Sequence, residues 1–140
     1  MRLLITTPVA IVVDQADVIS LRAEDESGGF GILPGHADFL TALTLSVVTW
    51  RSVERHQRFC AVRYGLLSVH QGKEVAIATR EAVVGSDLQH LEQVVLAEFR
   101  RATEEERVAR TESLKLQMRV IRQILQCLRP TPSTTLGEGA

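Results

Sequence analysis

A change of hydrophobic period at Gly85 limits what this chain can fold into more than any other feature. Before it, apolar residues come in short runs at strand spacing; after it, they recur at +3 and +4 steps. Residues 3–7 read as a first strand ended by Pro8, and residues 9–13 as a second, nearly continuous apolar one. Ile19, Leu21 and Ala23 alternate with Ser20, Arg22 and Glu24, the mark of a strand with one wet face. Further runs at 38–43, 45–51, 59–62, 66–69, 75–78 and 82–84 follow, with Gln71-Gly72 as a hairpin signal. Many short strands at this spacing predict an antiparallel β-sandwich or flattened barrel over residues 1–85.

Past Gly85 the chain reads as helix. Ser86 and Gln89 make a capping-box pattern, with Asp87 as a competing N-cap. Leu88, Leu91, Val95, Phe99 and Ala102 form one apolar stripe. Leu114, Met118, Ile121, Leu125 and Leu128 form a second, widened by Leu116, Val120 and Ile124. Two stripes predict a C-terminal α-helical hairpin over residues 86–129, ended by Arg129-Pro130. Residues 130–140, with Pro132, Gly137 and Gly139, have nothing to bury and are expected to be disordered. The fold class is therefore α+β in two parts. The link at 103–112, T-E-E-E-R-V-A-R-T-E, contains neither Gly nor Pro, and most of its residues are good helix formers. The same sequence thus also admits one long helix, and such a choice is a physical basis for a switch.

Between the strands, residues 27–43 read S-G-G-F-G-I-L-P-G-H-A-D-F-L-T-A-L. Gly28, Gly29, Gly31 and Gly35 with Pro34 predict a loop that turns tightly twice and exposes Phe30 and His36 at one end of the β part. A loop so defined by turn chemistry is usually held for a contact.

That stretch resembles the sandwich signature of the epsilon subunit of rotary F-type ATP synthases, a pattern close to G-x-x-G-[IL]-x-P-G-H-A-P-L-L-T-x-L. Asp38 stands where proline is usual. The resemblance continues through residues 61–65, 81–84 and the helical tail to about Arg129. The wording T-R-E-A-V-V-G-S-D-L at 79–88 is similar to the divergent bacterial N-ATPase branch. It implies a non-catalytic central-stalk subunit that joins gamma to the c-ring and couples H⁺ or Na⁺ flow to ATP synthesis or hydrolysis. It places such a subunit at the cytoplasmic face of the bacterial inner membrane, held there by other subunits. It makes Ser27, Gly28, Gly29, Phe30, Gly31, Pro34 and His36 candidates for the c-ring and gamma interface. On the second helix Lys115, Arg119, Arg122 and Arg129 form a basic stripe. The resemblance implies that this stripe grips the catalytic alpha/beta subunits and brakes hydrolysis.

The remaining chemistry is sparse. The net charge of −1 gives no electrostatic case for nucleic acid. No apolar run approaches the roughly 18–20 residues that span a bilayer. Cys60 and Cys127 lie in different regions without metal-like spacing and read as free thiols. His36, His56, His70 and His90 are scattered, no nucleophile or P-loop motif accompanies them, and no cofactor or metal is expected. Some relatives bind ATP through a motif like [IL]-D-x-x-R-A; here Ser86 precedes Asp87, and His90-Leu91 replace Arg-Ala, so Asp87 reads as a cap. The rival reading is a free-standing adaptor or ligand-binding sandwich with a helical oligomerisation tail, which predicts a stable homo-oligomer.

Overall fold

The computed structural model describes residues 1–128, so Arg129 of the basic stripe and the expected tail at 130–140 lie outside the described residues. Ten strands come first: β1 (Arg2–Thr6), β2 (Ile11–Gln15), β3 (Val18–Asp25), β4 (Gly28–Ile32), β5 (Phe39–Leu43), β6 (Ser46–Ser52), β7 (Gln57–Val62), β8 (Gly65–His70), β9 (Glu74–Ala78) and β10 (Ala82–Gly85). Helix α1 (Leu88–His90), a π-helical turn (Leu91–Val95) and helix α2 (Leu96–Leu128) follow. The chain divides into two compact units, Met1–Arg101 and a second that begins at Ala102.

The sheet runs β10-β7-β6-β3-β5-β8-β9-β1-β2, with β4 joined to β3 off this path. It wraps so that its inward residues face one another. Leu3, Ile5, Val18, Leu21, Ile32, Val48, Trp50, Leu67, Val75 and Ile77 are fully or almost fully buried in one cluster. Each such Leu or Ile contributes roughly 1.5–3 kcal/mol relative to exposure. Trp50 keeps its indole N–H satisfied by donating to Gln15 Oε1 at 2.9 Å. The strand pairs are antiparallel except β1 with β9, which run parallel from Arg2↔Glu74 to Thr6↔Ala78.

Three local readings are corrected. Ile19 is exposed and Val18 is buried, because the β3–β6 register shifts between Val18 and Ser20. A bulge adds one residue to one strand and so slips the alternation. The second strand starts at Ile11, since Pro8 and Val9 occupy the turn closed by the Thr7 N–H donating to Ala10 O at 2.9 Å. And residues 28–32, expected as loop, are strand β4, paired with β3 from Asp25↔Gly28 to Leu21↔Ile32.

The helical part is corrected too. α2 runs unbroken from Leu96 to Leu128, one joined helix rather than a hairpin, and residues 103–112 lie inside it. With no Gly or Pro there, nothing local interrupts the backbone ladder. At its start, Asp87 caps the segment by accepting from the Gln89 amide at 3.0 Å. Leu91, Leu96 and Phe99 are buried with Ala61 in a second cluster, against Leu45, Val47, Phe59 and Val95. Strands β6 and β7 are thus covered on both faces, and the first compact unit continues past Gly85 to Arg101.

Candidate functional site

The glycine-rich stretch resolves into a hairpin and a loop. The turn between β3 and β4 consists of Glu26 and Ser27. Asp25 braces it: Oδ1 accepts from the Ser27 amide at 2.9 Å and from the Ser27 hydroxyl. Its Oδ2 accepts from Thr41 Oγ1 at 2.8 Å, which ties the hairpin to β5. These bonds, first from Ser27 and then from Thr41, hold the Asp25 carboxyl below the usual carboxylate range. Gly28 opens β4 at φ 118°, in the left-handed region that glycine tolerates.

Beyond β4 the loop carrying Pro34, Gly35 and His36 is pinned to the β8–β9 turn. Gly35 N–H donates to Gly72 O at 2.9 Å, and Asp38 Oδ1 accepts from the Gln71 amide at 2.8 Å. Gln71 and Gly72 both have positive φ. A Cβ on Gly72 would meet Gly35 Cα at 2.6 Å, so glycine is required by that close approach.

Phe30 and His36 converge on Phe39. The Phe30 and Phe39 rings meet edge-on with centroids 5.7 Å apart, and His36 meets Phe39 likewise at 5.7 Å. Phe30 is partly buried against the core. His36 Nδ1 lies 2.7 Å from Ala37 O. A carbonyl only accepts, so Nδ1 carries the proton and a neutral ring leaves Nε2 as acceptor. Ser27, Gly29, Gly31 and Pro34 are exposed. The structure therefore gathers Phe30 and His36 around one phenyl ring, while Ser27 is engaged by Asp25.

Asp25, Asp38 and Phe39 escaped the sequence reading of the site. Asp25-x-Ser27 is a recognisable turn signature, whereas Asp38 reaches Gln71 across 33 residues and leaves no local signal.

The second feature is α2. Leu114, Met118, Ile121, Leu125 and Leu128 are all exposed and follow steps of +4, +3, +4 and +3. At about 100° per residue they share one narrow stripe. Lys115, Arg119 and Arg122 flank it on one side, and Leu116, Val120 and Ile124 on the other, exposed as well. From Ser113 to Leu128 there is no acidic residue. Such a face can bind an apolar surface rimmed by acids.

Among the described residues no group of His, Cys, Asp and Glu could hold a metal ion, and no helix is long and apolar enough to cross a membrane.

Residues 1–85 match the family model for the ATP synthase delta/epsilon chain β-sandwich domain. The chain is 46% identical over 131 residues to ATP synthase epsilon chain 2 of Paraburkholderia xenovorans, covering 94% of each. It is 41% identical over 133 residues to ATP synthase epsilon chain 2 of Cereibacter sphaeroides, covering 95% of this chain and 91% of that one. A similar fold occurs in the Euglena gracilis mitochondrial ATP synthase OSCP/F1/c-ring assembly, with TM-score 0.58 and 23% identity. That match covers 76% of this chain and 62% of the other.

Proposed function

The chain belongs to the ATP synthase delta/epsilon chain family, and on that premise we propose that it is the epsilon subunit of the central stalk of an F-type ATP synthase or N-ATPase. The observation that carries this reading is the length of the similarity to epsilon chains, which extends beyond the sandwich and through the helical region. In that role the chain is a subunit of the enzyme complex and has no catalytic step of its own. It joins the gamma subunit to the c-ring, so that rotation driven by H⁺ or Na⁺ flow is transmitted through packed surfaces. It works peripherally, at the cytoplasmic face of the bacterial inner membrane.

The hairpin and loop bearing Ser27, Gly28, Gly29, Phe30, Gly31, Pro34 and His36 face the rotor partners. The wrapped sheet suits torque transfer, because close-packed interiors deform little under load. The helix supplies a second function. Lys115, Arg119 and Arg122 beside the uncovered apolar stripe dock on the alpha/beta subunits and slow ATP hydrolysis. Desolvating an apolar stripe drives such docking, and the cations select an acidic rim.

Co-purification from the host with its gamma subunit tests the assignment. Recovery of a stoichiometric gamma–epsilon complex is the expected result. A stable homo-oligomer without gamma overturns it in favour of the adaptor reading. Hydrolysis by the complex should rise when Lys115, Arg119 and Arg122 are changed together to glutamate, and unchanged hydrolysis removes the brake.

A further inference from the structure

The hydrogen-bonded path of the sheet begins at β10 and ends at β2, and the wrap brings these two strands into contact. A cleft of about 420 Å³ lies along this seam, lined by Val12, Val13, Asp14, Gln15, Arg58 and Val84. Its size is that of a small-molecule site, and the mouths of barrels favour such sites. Val13 belongs to the core, and Val12 and Val84 pack against it, so the floor is apolar. Arg58 lies opposite Trp50 in the β6–β7 ladder. Its side chain therefore leaves the strand on the face that carries Cys60 and Val62 into the core. Near the start of β7 that face is open, and Arg58 is exposed there.

The polar groups of the cleft are donors without a matching acceptor. The Trp50 indole N–H can only donate, so the Gln15 oxygen is the atom that meets it at 2.9 Å. That fixes the orientation of the amide and leaves its nitrogen free to donate. Asp14 is already engaged: Oδ1 accepts from Arg2 Nε at 2.9 Å, and Oδ2 from Arg2 Nη2 at 3.0 Å. This two-pronged pair balances the Asp14 charge. Among the described residues Arg58 has no ion pair. The cleft thus presents one uncompensated cation and one amide nitrogen above a floor of valines.

We propose that the seam between β2 and β10 binds a small monocarboxylate with a short apolar tail. The carboxylate accepts from the Arg58 guanidinium and the Gln15 amide, and the tail lies on Val12, Val13 and Val84. One positive charge matches one negative charge. A dianion such as phosphate would stay half compensated and would leave the valines unused. The bound acid bridges β2 to β7 and so ties together the two ends of the wall. This site belongs to the wall itself and stands apart from the stalk reading.

The test is a fluorescence titration of the full chain with sodium butyrate at constant ionic strength. Trp50 is the only tryptophan and reports on Gln15 through their hydrogen bond. Butyrate should change its emission saturably and raise the melting temperature, as a ligand of the folded state does. Butyramide, the uncharged analogue, and inorganic phosphate should each bind at least tenfold more weakly. Arg58→Gln, at an exposed position, should melt like the wild type without ligand and bind butyrate at least tenfold more weakly. Gln15→Glu keeps an oxygen for the Trp50 N–H but loses the amide donors, and should weaken binding at least tenfold as well. An emission change that never saturates, equal binding of butyramide, or full binding by Arg58→Gln overturns the proposal. Tighter binding of phosphate than of butyrate overturns it in favour of an inorganic-anion site.

Discussion

Asp38 accepts the Gln71 amide at 2.8 Å, so a position that departs from the family's loop pattern clamps that loop to the β8–β9 turn. The carboxylate stands where the pattern has proline, and proline has no acceptor to offer there. Asp38→Ala should lower unfolding free energy by about 0.5–1.5 kcal/mol in urea titrations, the usual worth of one hydrogen bond. Asp38→Asn, whose amide oxygen still accepts, should lose less.

Asp25 gives the β3–β4 hairpin a pH dependence. Its folded-state pKa is lowered by the Ser27 and Thr41 bonds. Its contribution is therefore fully present above the unfolded value of about 3.9 and is lost as pH falls through the folded value. Urea midpoints measured from pH 6 down to pH 2 should fall more steeply for wild type than for Asp25→Asn below about pH 4. Equal slopes would show that the bonds do not favour the ionised form.

Gly65 and Gly29 should respond oppositely to alanine. At Gly65 φ is 139° and the added Cβ meets Ala78 O, so Gly65→Ala should cost on the order of 1–3 kcal/mol. Gly29→Ala should be neutral or slightly stabilising in the free chain, because it removes unfolded-state freedom without a clash. Thermal melts of the two variants decide it.

The two apolar stretches of the helical region should also separate. Phe99 is buried in the cluster on β6 and β7, and Phe99→Ala should cost about 3 kcal/mol. Leu125 is exposed, and Leu125→Ala should stay within about 0.5 kcal/mol in the free chain. A large loss at Leu125 would mean that the stripe is covered within the chain.

Only one of the two thiols should react in the native protein. Burial pushes the Cys60 thiol up to about 12, whereas Cys127 is exposed on α2. Thiol titration at pH 8 should count one group natively and two in denaturant.

Legibility from the sequence followed the range of the interactions. The period change at Gly85 and the Asp87 cap depend on neighbours a few residues apart, and both were readable. Ile19 misled because a bulge is set by the partner strand β6 and not by the run it sits in. β4 was hidden by its glycines, which are poor strand formers alone and are held here by pairing with β3. The helix link was the reverse case. Its composition favoured a continuous helix, while the expectation of a hairpin came from the need of two stripes for a partner, a demand the described residues leave unmet for the second. For the loop, glycine and proline revealed a turn, but the bracing carboxylates Asp25 and Asp38 act on Thr41 and Gln71, and no spacing rule announces such pairs.

The parallel pairing of β1 with β9 has a consequence for how the molecule is made. During synthesis β1 meets this second neighbour only when residues 74–78 have followed it. At synthesis rates of about 5–20 residues per second, that leaves β1 and β2 waiting for several seconds as a hairpin with one unmatched edge. Closing so large a loop is a slow step for any β topology. The seam between β1 and β9 is therefore a late stitch of the wall, and nascent chains are vulnerable to aggregation in the interval before it is drawn.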